Sequence, residues 1–216
     1  MQEKAFFKKL LDEGIDAVGL DFNDYAISKF NPNIAQHLIK GDILKSIDTI
    51  INSGAKYEVV FVNHFLEHST RPKLFLLKLK DILTSPGYVI ISAPNDFSEL
   101  QRELKIKGHY SKDYMIKYPD HLYYVNADSL KNLLNEIGFQ FLDGIADFPI
   151  EWFIANPHSN YGRDESLGKG AHNARIFLET LINQKNKMLA LQFWRSLFNL
   201  GQGRSIAAIF EFQGNK

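Results

Sequence analysis

The chain has 216 residues, 45% of them apolar and 23% charged, with 25 Lys plus Arg balanced by 25 Asp plus Glu. That size suits one globular domain with room for an added subdomain, and the balanced charge leaves no global basic field to recruit nucleic acid or an anionic membrane surface. There is no cysteine, which excludes disulfides and thiol chemistry and fits a cytoplasmic setting. The opening Met1-Gln2-Glu3-Lys4 has no apolar signal region, and no apolar run approaches the ~20 residues of a membrane-spanning helix.

In chain order, Lys4 to Glu13 reads as a helix with Phe6, Phe7, Leu10 and Leu11 on one face and Gly14 as its stop. A short strand at Ala17 to Leu20 closes on Asp21. Asn23 or Asp24 caps a helix that ends before Pro32. A weak strand at His37 to Ile39 leads to Gly41-Asp42, and a helix follows around Leu44 to Ile51. The run from Val59 is apolar without alternation, the pattern of a strand buried on both faces of a parallel sheet. It stops at the polar pair Asn63 and His64, where a strand's carboxyl end would emerge, and ligands of open α/β sheets bind at that end.

Ser69 or Thr70 caps the next helix, with Pro72 in its first turn and Phe75, Leu76, Leu79, Ile82 and Leu83 as the buried face. Pro86-Gly87 turns into a second buried strand, Tyr88 to Ala93, ending at Pro94-Asn95-Asp96. Periodicity fades from Phe97 to Tyr124, a long connection rich in Tyr and His of the kind used as a lid or binding loop. Then come a helix with Leu130, Leu133, Leu134 and Ile137, a strand at Phe139 to Leu142, an irregular stretch from Pro149 to Gly170, helices near Ala171 to Asn183 and Lys187 to Leu200, and a last strand, Ser205 to Phe212. This alternation predicts a doubly wound α/β sheet, with the last strand inserted antiparallel.

Several of these pieces, in this order and spacing, resemble the class I S-adenosylmethionine-dependent methyltransferases: Val18-Gly19-Leu20-Asp21, Gly41-Asp42-Ile43, Val59 through Leu66-Glu67-His68, Pro86 through Asn95, His121-Leu122-Tyr123, and Gly138-Phe139. The resemblance covers about the whole chain. It implies a Rossmann-like, mostly parallel sheet, S-adenosylmethionine as cofactor, and cofactor contacts at Asp21, Phe22, Asp42, Ile43, Asn63 and His64. A carboxylate at a strand end suits a ribose diol, which donates two hydrogen bonds; as plain structure, Asp21 and Asp42 are equally helix caps or turn residues.

Methyl transfer to a hydroxyl gains from a base, and histidine is the natural one. His121, beside Tyr123 and Tyr124, is the first candidate and His64 the second. Glu67-His68 offers a metal-like pair, but adjacent residues need not point the same way, so a packing role is expected for them and no metal. The C-terminal third, with Glu151-Trp152-Phe153, Asn160-Tyr161, Arg175 and Gly201 to Arg204, resembles methyltransferases associated with surface-polysaccharide synthesis. That implies a sugar, sugar-nucleotide or glycan hydroxyl as acceptor, with Asn95, Tyr123, Asn160, Tyr161 and Arg175 as substrate-binding candidates. The corresponding division is a core over 1–148, a substrate-side loop and helical insertion over 149–205, and the last core strand over 206–216.

One departure stands out. No Gly-x-Gly precedes Asp21, although the family's first strand leads into a glycine-rich loop whose backbone approaches the cofactor. The chain reads as lacking that central first strand. Either it belongs to a longer parent, or the strands near Ala17 and Val59 pair directly, or another chain, a second copy or a strand-supplying partner, completes the sheet. The alternative function is then a non-catalytic, methyltransferase-like interaction protein.

Overall fold

The structure, a computed structural model, describes residues 2–214. In order the elements are α1 (Gln2–Asp12), β1 (Gly19–Asp21), α2 (Tyr25–Phe30), β2 (Leu38–Lys40), α3 (Ile43–Ser53), β3 (Tyr57–Asn63), α4 (Pro72–Leu79), β4 (Leu83–Pro94), α5 (Glu99–Ile106), α6 (Ala127–Glu136), β5 (Gln140–Ala146), α7 (Glu151–Ala155), α8 (Gly168–Lys185), α9 (Lys187–Asn199) and β6 (Ser205–Phe212). Short 3-10 turns lie at Pro32–His37, Leu66–His68 and Glu165–Leu167. The residues divide into two compact units: one runs through Tyr57 and includes Leu74–Thr84, and the other holds Glu58–Lys73 and everything from Ser85 on. The expected divisions after 148 and after 205 do not coincide with these boundaries.

In the first unit, β1 and β2 pair in parallel, with Asp21 opposite Lys40. Asp42 begins α3 by accepting the Lys45 N–H, and Gly54, at φ 74°, ends it in the left-handed conformation that a residue without Cβ adopts most readily. Between those caps Ile47 and Ile50 are buried. Helix α4 ends at Leu79, earlier than its apolar pattern predicts. The chain then tightens into i to i+3 bonds, Lys80 N to Leu77 O, Asp81 N to Lys78 O and Ile82 N to Leu79 O. This tight turn still leaves Ile82 and Leu83 inside.

The second unit carries the sheet β3-β4-β6-β5. The Tyr57 N–H meets Ile82 O at 2.8 Å near the start of both strands, and the His64 N–H meets Ser92 O at 2.9 Å near their ends, so β3 and β4 rise together. Strand β6 is antiparallel to β4 on one side and to β5 on the other, as expected for an inserted last strand. It alternates strictly, burying Ile206, Ala208, Phe210 and Phe212. The β4–β6 ladder starts at Gly87, just past Pro86, which has no N–H to donate; the strand itself runs through the expected Pro86-Gly87 turn.

Two expectations need correction. Strand β3 is not buried on both faces: Val62 is 4% exposed, but Val59 is 51% and Phe61 43% exposed. Val59 and Phe61, two residues apart, share the open face, and β3 stands at the end of its sheet order with β4 as its sheet neighbour among the described residues. An apolar run looks the same in a central strand and in an apolar edge strand. The strands near Ala17 and Val59 do not pair directly either, since β1 and β3 belong to different sheets.

Helix α9 packs on β5 through one close approach. A Cβ added at Gly144 would fall 2.5 Å from the Phe198 ring, and Phe198 is 1% exposed and stacks on Phe141 at 5.7 Å. Arg195 clamps the same strand by donating to both oxygens of Asp143, at 3.0 and 2.8 Å through Nε. Gly144→Ala is therefore expected to destabilise the fold by about 1–3 kcal/mol through overpacking, read as a lower urea midpoint. An unchanged midpoint would mean that α9 does not press on β5.

Candidate functional site

In the first unit, the carboxyl ends of β1 and β2 lie side by side, and the Gly41 N–H donates to Asp21 O at 3.0 Å. This brings together four of the residues expected to hold the cofactor: Asp21, Phe22, Asp42 and Ile43. Asp21 does not cap α2, whose first turn starts at Asp24. Its Oδ1 instead accepts the Asn23 N–H at 2.9 Å, a local turn that fixes the carboxylate at the strand end. Asp42 is the α3 cap at 2.9 Å from the Lys45 N–H, so its carboxylate has one oxygen already engaged. Phe22 is 75% exposed.

In the second unit the chain leaves β3 at Asn63 and bends sharply: His64 has φ 45°, a left-handed conformation uncommon for a residue with a side chain. The turn is held by the His64 N–H on Ser92 O. It aims the ring at Glu67, with Nδ1 3.0 Å from Oε1, and Glu67 is 2% exposed. A buried carboxylate needs partners, and its backbone is equally engaged. Glu67 O accepts from Leu122 N at 2.7 Å and from Tyr123 N at 3.1 Å. His68 Nδ1 donates to Asp120 O at 2.6 Å. The 3-10 turn after β3 is thus stitched to the loop that carries His121 and Tyr123, and the His68 and His121 rings meet edge-on at 5.1 Å.

Burial pushes the His121 imidazole below the ordinary histidine value, with Glu67 opposing and His68 and Lys117 adding to the shift. Burial, then the charge of Glu67, raises the Asp96 carboxyl to about 7, with Lys117 opposing. Glu151, 1% exposed, is also pushed up by burial. It accepts from Gln101 Nε2 and from the Tyr114 hydroxyl, each at 2.8 Å.

The expected substrate-binding residues have mixed fates. Asn95 is fully enclosed, and its Nδ2 donates to Gly201 O at 3.1 Å and Gly203 O at 2.9 Å. It staples the end of β4 to the entry of β6. Asn160, 2% exposed, does similar work: its Nδ2 donates to His109 O at 2.8 Å and its Oδ1 accepts from Arg163 N at 3.2 Å. Both amides turn to backbone because buried amides seek the polar groups that loops leave unpaired. Tyr161 packs against a small core of Leu104, Tyr110, Met115 and Ile154. Arg175 is paired with Glu179 at 3.3 Å. Tyr123 stays half-exposed beside the Glu67 turn. Sequence reasoning named His64 and Glu67 without pairing them, although the His64-x-x-Glu67 spacing was a signal for the pair; nothing signalled the buried role of Glu151, since its partners lie 37 and 50 residues away.

Asp96 yields a pH prediction. Its folded value of about 7 lies well above the ordinary carboxyl value of 3.8, so between these values the folded state holds a proton that the unfolded chain releases. Stability is then fully present below pH ~4 and falls as pH rises towards 7. Asp96→Asn is expected to match the parent near pH 4, to be more stable at pH 8, and to flatten the slope between. Equal slopes in pH-dependent denaturation would contradict the burial of this charge.

Residues 4–143 match the family described as "Methyltransferase domain". No curated protein sequence matches the chain. Among solved structures, a SAM-dependent methyltransferase from Archaeoglobus fulgidus is 20% identical, with a TM-score of 0.58 over 95% of this chain and 80% of that one. The plantazolicin methyltransferase BamL, solved with a desmethyl-plantazolicin analogue and SAH, is 12% identical, with a TM-score of 0.51 over 97% and 74%. A putative methyltransferase in complex with the Haloferax volcanii activator Trm112 is 12% identical, with a TM-score of 0.50 over 99% and 79%. At these identities the likeness is one of fold, a Rossmann-like α/β arrangement with its antiparallel last strand. The family match, spanning well over half of the 216 residues, is one of sequence, and by it the chain belongs to the methyltransferase domain family.

Proposed function

We propose that this chain is an S-adenosylmethionine-dependent O-methyltransferase acting on a hydroxyl of a sugar, sugar nucleotide or glycan in the cytoplasm, with His64 as the base. The observation that carries the reading is the His64–Glu67 pair at the carboxyl end of β3: 3.0 Å from Nδ1 to a carboxylate that is 2% exposed. A carboxylate on Nδ1 fixes the tautomer in which Nε2, with the Ser92 Oγ at 3.5 Å, is the accepting nitrogen. His121, the other candidate base, stands edge-on to His68, and its Nδ1 has no hydrogen-bond partner among the described residues.

The residues at the first unit's strand ends fit the adenosine part of the cofactor. Asp21 has a carboxylate oxygen outside its local turn for a ribose diol, Asp42 has one outside its cap for an amino group, and Phe22 offers an open ring face. S-adenosylmethionine, when bound, supplies an electrophilic methyl group. With the donor bound, His64 would accept the proton that the acceptor hydroxyl gives up, and the chain's remaining contribution would be to position the two reactants. The sugar class rests on the sequence resemblance, with half-exposed Trp152 and Tyr161 as stacking faces.

In a transfer assay with labelled methyl donor and a panel of sugar nucleotides, His64→Ala is expected to lower kcat by about 10²–10⁴-fold while leaving the KM for the donor near its parent value. A fully active His64→Ala would remove His64 as base. Methylation confined to non-sugar acceptors would overturn the substrate class and keep the reaction.

A further inference from the structure

Helix α8 is the element whose own surroundings explain least of its sequence. It has 18 residues and, among the described residues, buries only Ala171. Ile176, Phe177 and Leu181 lie exposed along it, and Met188 and Leu189 lie exposed at the start of α9, with Phe177 at 65% and Leu181 at 42%. At about 200 Å² for a large side chain, these five present on the order of 500 Å² of apolar surface, a size at which an exposed patch is usually functional.

The order of residues along α8 says what would cover it. Gly170, Ala174, Phe177 and Leu181 are spaced four, three and four residues apart, the rhythm of a seam between two helices. The first half of this seam is small and the second half large. Gly170 is exposed, and a Cβ there would meet nothing within 4 Å. Its own chain therefore gives no steric reason for a glycine where alanine would favour the helix by about 1 kcal/mol. Turned end for end about the point between Arg175 and Ile176, the seam matches itself: Phe177 falls opposite Ala174, and Leu181 falls opposite Gly170. That self-match is what a two-fold interface requires.

The charges share the same centre. Asp164 and Lys187, both exposed, lie equally far from it on opposite sides. The turn that carries Asp164 and Glu165 runs straight into α8, because Gly168 is already helical at φ −59° and ψ −39°. In an antiparallel pair the acidic entry of each helix meets the basic exit of the other, at Lys185 and Lys187. An anionic lipid surface would meet that acidic entry with repulsion instead.

We propose that α8 is the interface of a homodimer in which the helices of two copies of this chain pair antiparallel about a two-fold axis. A standard interface buries about 800 Å² per partner, about 65% of it apolar in homodimers, which matches the apolar surface left open here. The pairing also bears on the proposed substrate side. A Cβ at Gly168 would stand 3.9 Å from the Tyr161 Cβ, so the paired helix starts against a proposed acceptor contact and braces it.

The test is sedimentation velocity of the purified 216-residue chain across the micromolar range, and it is independent of methyl transfer. The parent is expected to sediment at twice the 24.8 kDa of one chain. Gly170→Leu fills the space that the other copy's Leu181 would take, and should give a monomer with the parent's circular dichroism. Leu181→Ala alone should weaken the dimer about 10-fold. Gly170→Leu combined with Leu181→Ala exchanges the large and small sides and should restore the dimer. A monomeric parent would overturn the proposal, and flotation of that monomer with phosphatidylglycerol vesicles would give the face to a membrane. A dimer untouched by Gly170→Leu, or one lost there and not regained in the double variant, would overturn it too.

Discussion

A carboxylate at 2% exposure governs the site. Glu67 sits one turn past β3, and every group around it answers to its burial. His64 faces its Oε1, the His121 loop bonds its carbonyl oxygen twice, and Asp96 is raised in pKa partly by its charge. Burying a charge is expensive unless it is paired. The chain meets that cost with a left-handed residue at His64, φ 45°, a strain of the kind that persists where surroundings over-determine a conformation. The outcome is a rigid strand end with an oriented imidazole, on a loop position where a plain turn would have needed neither.

Strand β6 makes that rigidity possible. It pairs with β4 over Gly87 to Pro94 and with β5 over Gln140 to Ala146, so the last residues of the chain hold strands separated by nearly fifty residues. The amide of Asn95 ties the β4 exit to Gly201 and Gly203, and Asp147 Oδ1 accepts the Ser205 N–H at 2.7 Å. At Gly203, φ 107° and a Cβ position 2.5 Å from Ala146 leave glycine as the residue that fits. The polar groups expected to meet a substrate at Asn95 thus hold the scaffold under it. Substrate contact passes by position to residues still half-open, such as Tyr123, and that transfer is a proposal.

Much of this was legible because it is local. The cap at Asp42, the apolar face of α4 and the strand ends at Asp21 and Asn63 are written within a few residues of where they act. What stayed hidden is relational. A run of Val and Phe cannot say whether both sides of β3 are covered, and the structure leaves Val59 and Phe61 open. Helix α5 was lost in an aperiodic stretch because its residues are mostly polar; its sign was the Ser98-x-x-Gln101 capping box. An asparagine's sequence neighbours do not reveal the carbonyls it will staple. His121 and His68 lie 53 residues apart in sequence and 5.1 Å apart as rings.

No Gly-x-Gly stands between Met1 and Asp21, and the cofactor contacts proposed for this chain are those at the ends of β1 and β2. The most direct measurement is calorimetric titration of the folded chain with S-adenosylmethionine and S-adenosylhomocysteine, alongside Asp21→Ala. Saturable one-site binding of both, weakened by the Asp21 change, is the expected result. No binding by a chain shown to be folded would contradict it and leave the methyltransferase fold here as a non-catalytic interaction module.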